Sequence, residues 1–266
     1  MSHYVGIWLL PIFFALIGIE LRNEIQAGSF IKKRTLLIPF TAATFGVLVP
    51  FLIYELFVSL FSISNSGWGV VVATDLPLAL LALKLFHPVA QNKLRPYLLS
   101  LAIFDDLISI LLIALVYHQN GVHPTVYGFI LGFLLPVSQK SRAFDYLNKL
   151  SNFFVLPIFV ITSIIENFSF KVGILTIAVL IARMGGKPLG IFIGDLLASS
   201  ILKHSVINTK EVLAIGALAT LGLSVSLLFA DISGAPKIAV ASILILIPVA
   251  LIRIKVLSRT FMQGDF

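Results

Sequence analysis

The chain reads as an all-α integral membrane protein. Three observations carry that reading: 59% of its 266 residues are hydrophobic, only 12% are charged, and the apolar residues fall in long uninterrupted runs. A soluble domain of this size carries about twice that share of charge. A bilayer crossing needs roughly 20 consecutive apolar residues, and by that measure nine runs qualify, near 4–21, 36–61, 68–86, 97–118, 122–137, 151–167, 172–197, 211–230 and 236–257. The fifth is short and is expected to tilt little or thin the bilayer locally. The seventh contains Gly185, Gly186, Lys187 and Pro188. Division there would leave Gly173–Ala182, too short to span, so the run is read as one helix with Lys187 at membrane depth.

The basic residues fix the orientation. Nearly all of the 19 Lys and Arg fall in loops on one side of the nine-span arrangement; the exceptions are Lys171 and Lys237 on the other side and Arg183 and Lys187 within the seventh span. Basic loops stay inside, which places the N-terminus outside and the C-terminus inside. The net charge of +7 is therefore a topology signal and gives no reason to invoke nucleic acid. The opening MSHY has no basic n-region of a cleaved signal peptide. Without cysteine there is no disulfide framework and no thiolate metal site.

Against this background three acids stand out. Asp75 lies within GWGVVVATDLPLALLALKLF, and Asp105 and Asp106 within YLLSLAIFDDLISILLIALVY. A carboxylate near the bilayer midplane costs at least a few kcal/mol, about ten on some estimates, and is by default part of an ion or proton path. Two helices also carry an interruption. In the first, Pro77 lacks an amide hydrogen and fits the first turn of a new helix capped by Thr74 or Asp75. In the second, Gly222 of TLGLS permits an unwound or left-handed residue. Residues 36–118 and 172–257 each hold three spans, begin on opposite sides and have the broken helix in the middle. This is the pattern of an inverted-repeat transporter core with two crossing interrupted helices, with 122–167 left as a smaller separate region.

Several segments resemble the NhaA-type sodium/proton antiporters: FFALIGIELRNEIQAGSF, ATDLPLAL, LAIFDDLISILLIALVY, GVHPTVYGFILGFLLP, GGKPLGIF and GALATLGLSVSLLFA, in order along nearly the whole chain. The resemblance implies exchange of sodium (or lithium) for protons across the bacterial inner membrane, in service of pH and sodium homeostasis. It further implies no cofactor, with lipid and the transported ions as partners. It implies that Asp75 and Asp106 face the ion, that Asp105 pairs with Lys187 when sodium is absent, that Thr74 and Gly222 support the helix breaks, and that Glu20 and Glu24 line a cytoplasmic funnel. Relative to the family pattern the chain lacks the first helix and two more between Tyr117 and Gly121. Those helices belong to the family's interface half, which puts a homodimer in question. The loop QKSRAFDYLNKLSN lacks the histidines that the family carries there.

The chemistry is consistent with that implication. Sodium takes hard oxygen ligands, which carboxylates and freed carbonyls supply. Neighbouring helical residues point about 100° apart, so Asp105 and Asp106 serve different directions. Blander readings stand beside each of these. Asp75 can serve as a helix cap, Lys187 as a structural tether, Arg183 as a structural or cavity-lining cation, Asp195 as a solvated residue at the inner helix end, and His123 as a turn residue. Two other functions compete. An intramembrane aspartyl protease would need a G-x-G-D sequence, absent here, and would make no use of Lys187, so no enzyme is expected. A shortened paralogue that keeps the fold without transporting is the alternative that the missing helices motivate.

Overall fold

The structure is a computed structural model and describes residues 2–26, 33–63, 67–86, 91–117, 122–169 and 172–262. Among these residues the regular elements are all helical. They divide into two compact units: residues 1–33 with 106–167, and residues 34–105 with 168–266. The boundary differs from the grouping 36–118 expected from the sequence. It falls between Asp105 and Asp106, inside a single helix.

The first unit contains α1 (Ser2–Gln26), α6 (Pro124–Leu134), α7 (Arg142–Leu150), a π-helical turn (Ser151–Val155) and α8 (Leu156–Asn167). Helices α1 and α6 touch backbone to backbone. A Cβ added at Gly132 would lie 1.9 Å from the Ala15 carbonyl oxygen, and one at Gly128 would lie 2.2 Å from that of Pro11. Close approach through small residues is how helices associate where lipid removes the hydrophobic driving force. Arg22 Nη1 donates to the Leu134 carbonyl at 2.7 Å and Asn23 Nδ2 to that of Val137 at 2.7 Å, covering the C-terminal end of α6. At its other end the His123 ring nitrogen accepts from the Thr125 amide, so His123 is a helix cap.

The second unit contains α2 (Lys33–Leu60), α3 (Trp68–Val72), α4 (Leu76–Phe86), most of α5 (Gln91–Tyr117), α9 (Ile174–Ile181), a second π-turn (Ala182–Gly186), α10 (Lys187–Leu202), α11 (Thr209–Ala219), α12 (Ser224–Ile232) and α13 (Pro236–Met262). Helix α2 packs on the π-turn and α10 along a glycine stripe: a Cβ at Gly186 would meet Pro50 Cα at 2.9 Å, one at Gly190 the Phe45 oxygen at 2.1 Å, one at Gly194 the Thr41 oxygen at 2.4 Å. The four-residue spacing keeps all three on one face. Thr41 Oγ1 donates to the Gly194 carbonyl across the same seam at 3.0 Å.

Among the described residues six stretches are long and apolar enough to cross a membrane: Leu36–Leu60, Trp68–Phe86, Lys93–Leu115, Arg142–Asn167, Ile174–Leu202 and Pro236–Val256. The bent pair Thr209–Ala219 and Ser224–Ile232, at 56°, makes a seventh. This count covers the described residues alone and does not confirm the nine spans expected from the sequence. The run at 122–137 contains only the eleven residues of α6, about 16 Å of helix, because its end is cut by Pro136. For the run at 4–21, the side chains of the first residues lie outside those described. The seventh run is one span, as its length requires, with the π-turn in its middle.

Candidate functional site

Both interrupted helices lie in the second unit, and their breaks meet. The chain leaves helical geometry at Ala73–Asp75 between α3 and α4, and at Thr220–Leu223 between α11 and α12. The Asp75 amide donates to the Leu221 carbonyl at 3.0 Å, and Thr74 Oγ1 to the Ala219 carbonyl at 3.3 Å. Each half-helix end leaves backbone groups that its own helix cannot satisfy. At this depth they have no bulk water to turn to, so side chains from elsewhere must meet them.

Asp75 meets the N-terminal ends. Its Oδ1 accepts from the Leu78 amide at 3.3 Å in α4, and its Oδ2 from the Ser224 amide at 3.0 Å and the Ser224 hydroxyl at 2.6 Å in α12. One buried carboxylate thus caps both half-helices whose N-termini carry partial positive charge. Pro77 occupies the first turn of α4, where its missing amide hydrogen costs nothing.

Arg183 meets the C-terminal ends. The side chain is fully buried, with 0% exposure. Its Nε donates to Thr220 O at 3.0 Å, Nη1 to Val70 O at 2.6 Å and to Ser226 Oγ at 2.7 Å, and Nη2 to the Ala73 carbonyl. Four residues on, on the same face, Lys187 Nζ donates to the Val72 carbonyl and sits 3.3 Å from Asp105 Oδ2. Both partners of that ion pair are almost wholly buried, and Asp105 Oδ1 has no hydrogen-bond partner among the described residues. The π-turn and Pro188 sit beside this pair. Pro188 has no N–H for the Met184 carbonyl four residues back, and Arg253 Nη1 donates to that carbonyl instead. Such turns occur often at functional sites.

Thr74, Asp75, Asp105, Lys187 and Gly222 therefore share one unit, and all but Asp105 contact the crossing directly or through backbone. Gly222 is there for a different reason from the one its composition suggests. Among the described residues Gly234, not Gly222, has the left-handed glycine backbone. A Cβ on Gly222 would instead fall 1.6 Å from Arg183 Nη2, so the glycine makes room for the guanidinium. Asp106 is buried and belongs to the first unit. Glu20 is partly buried on α1 in that unit, and the Glu24 side chain lies outside the described residues.

Asp195 corrects an expectation. It is buried, not solvated, and accepts from Tyr97 Oη at 2.7 Å, with Ser199 Oγ at 3.5 Å. It ties α10 to α5 well along the helix from Lys187. Nearby in sequence, Lys93 pairs with Glu211 at 2.8 Å, but the lysine is more than half exposed, and such pairs contribute little.

Two crossed, interrupted helices with charged side chains at both kinds of helix end are a transporter device. The family profile described as Na+/H+ antiporter 1 matches residues 1–120 and 118–256. The chain belongs to this family. Curated members of the Na+/H+ antiporter 1 family are similar along most of its length. The Na(+)/H(+) antiporter NhaA of Wigglesworthia glossinidia brevipalpis is 29% identical over 88% of this chain and 74% of its own. Na(+)/H(+) antiporter NhaA 2 of Flavobacterium johnsoniae is 28% identical over 85% and 69%, and NhaA 1 of Klebsiella pneumoniae 26% over 88% and 74%. The two matched stretches of the antiporter profile join at residues 118–120, where the sequence places the missing pair of helices.

Ser224 and Ser226 are the members of the site that sequence reasoning did not single out, and Arg183 enters it only as a structural or cavity-lining cation. Each is polar within an apolar run, which is the signal they offered; which partner each would meet depended on contacts between segments far apart in the chain.

Proposed function

We propose that this chain exchanges sodium or lithium for protons across the bacterial cytoplasmic membrane, with its N-terminus outside, and so contributes to pH and sodium homeostasis. The observation that carries the proposal is the Asp105–Lys187 pair: a buried carboxylate with one oxygen on an ammonium and the other without a hydrogen-bond partner among the described residues. A buried pair of this kind is costly to open unless another charge replaces the one withdrawn. Sodium is such a replacement. When it binds the aspartates, the positive charge that protons and the ammonium supply is no longer needed, so ion and proton compete. Protons in such a cluster belong to the group of acids together. Asp75, Asp105 and Asp106 are the acids assigned to the exchange, and Asp75 also holds the two helix breaks through Leu78 and Ser224. Rocking of the core about the crossing would turn competition into antiport.

The test uses everted vesicles or proteoliposomes that hold a pH gradient. Sodium and lithium are expected to collapse the gradient and potassium to leave it intact. A second reading, a transport-incompetent paralogue, draws its support from the helices that the resemblance implies are missing near the point where the two matched stretches meet, at 118–120. No response to sodium, with the protein verified in the membrane, would decide for it.

A further inference from the structure

We propose that Arg183 is a positioning residue of the exchange site: its guanidinium clamps the crossing of the two broken helices, so that the helix ends stay compensated while the Lys187–Asp105 pair opens. The inference rests on the exchange reading above for its consequence, and on geometry alone for the clamp.

Opening the Lys187–Asp105 pair has a structural difficulty. The carbonyl ends of α3 and α11 carry partial negative charge in a buried setting, and a cation that served both those ends and Asp105 could not move without exposing one of them. Arg183 reduces the conflict to the single Val72 carbonyl that Lys187 holds, because it takes the other carbonyls at these ends. It reaches Val70 O and Ala73 O at the end of α3, Thr220 O at the end of α11, and Ser226 Oγ within α12. That is three of the four half-helices held by one side chain. A guanidinium presents five N–H donors in a planar fork and keeps its charge, where an ammonium has three donors on a single point. The second, independent observation is Gly222, whose missing side chain is the space that Nη2 fills. The break in α11–α12 is shaped around this arginine. What the clamp positions is the stretch through Thr74 and Asp75, since Ala73 O is bonded to Arg183 and the next amide but one is bonded to Leu221.

The experiment combines melting temperature with a KM-against-turnover split in proteoliposomes. Arg183→Gln is expected to lower the melting temperature by roughly 10 °C, and Arg183→Lys should not restore it. Gly222→Ala should be nearly as harmful with arginine present, and should add little once Arg183 is glutamine. Ser226→Ala removes one of the four bonds and should fold; it is expected to raise the apparent KM for sodium several-fold with turnover nearly unchanged. If Ser226→Ala and Gly222→Ala lower the melting temperature and leave the KM for sodium at the wild-type value, Arg183 is only a structural residue and the positioning claim falls. If Gly222→Ala and Arg183→Gln add independently, there is no clamp. A wild-type chain without sodium-driven flux would instead sink the exchange reading, and the clamp would then be judged on melting temperatures alone.

Discussion

Asp75 and Asp106 are both buried acids, one at a helix break and the other within α5, and the exchange reading gives them different work. Asp75 accepts three hydrogen bonds from two helices and caps two helix N-termini. In Asp75→Asn one acceptor and the charge are lost while the shape survives. The expected result is a destabilisation of about 1–3 kcal/mol, with exchange reduced and not abolished. Asp106→Asn should behave differently: sodium-driven proton flux is lost. Melting curves and vesicle flux on the two variants check both statements. Normal flux in Asp106→Asn would remove that acid from the exchange site, and an unchanged melting temperature in Asp75→Asn would refute the double cap.

At the scale of elements, the breaks were the most legible part of the site. A proline two residues after an aspartate inside an apolar run marks a new helix start by local rules alone, and the structure begins α4 at Leu76. The four-residue spacing of Arg183 and Lys187 was equally readable as one helix face. What that face meets was not, because the acceptors at Val70, Ala73 and Thr220 are at least 37 residues away in the chain. Glycines show the same limit. Gly185 and Gly190 look alike in sequence, but a Cβ on Gly185 would meet nothing within 4 Å, whereas one on Gly190 would press on α2. Gly190→Ala is expected to destabilise by about 1–3 kcal/mol through overpacking, and Gly185→Ala to be neutral or slightly stabilising. Equal melting temperatures for the two variants would contradict the helix seam described above.

For the molecule as a whole, the all-α membrane class follows from composition, while the shortness of α6 and the 56° bend between α11 and α12 could not be read from hydropathy alone. The function proposed also has a consequence for the whole protein that no single residue carries. If Asp105 and Asp106 both take up protons on the side where sodium leaves, two protons move for each sodium ion and one net charge crosses per cycle. A membrane potential then contributes about 2.3 kcal/mol per 100 mV, which at 1.4 kcal/mol per tenfold corresponds to a roughly forty-fold sodium gradient. Proteoliposomes clamped with valinomycin at set potassium gradients measure this directly. Exchange should accelerate when the potential favours inward charge and should build a sodium gradient at zero pH difference. A rate and end-point independent of potential would mean one proton per sodium, and would restrict the exchanging acids to one of the pair.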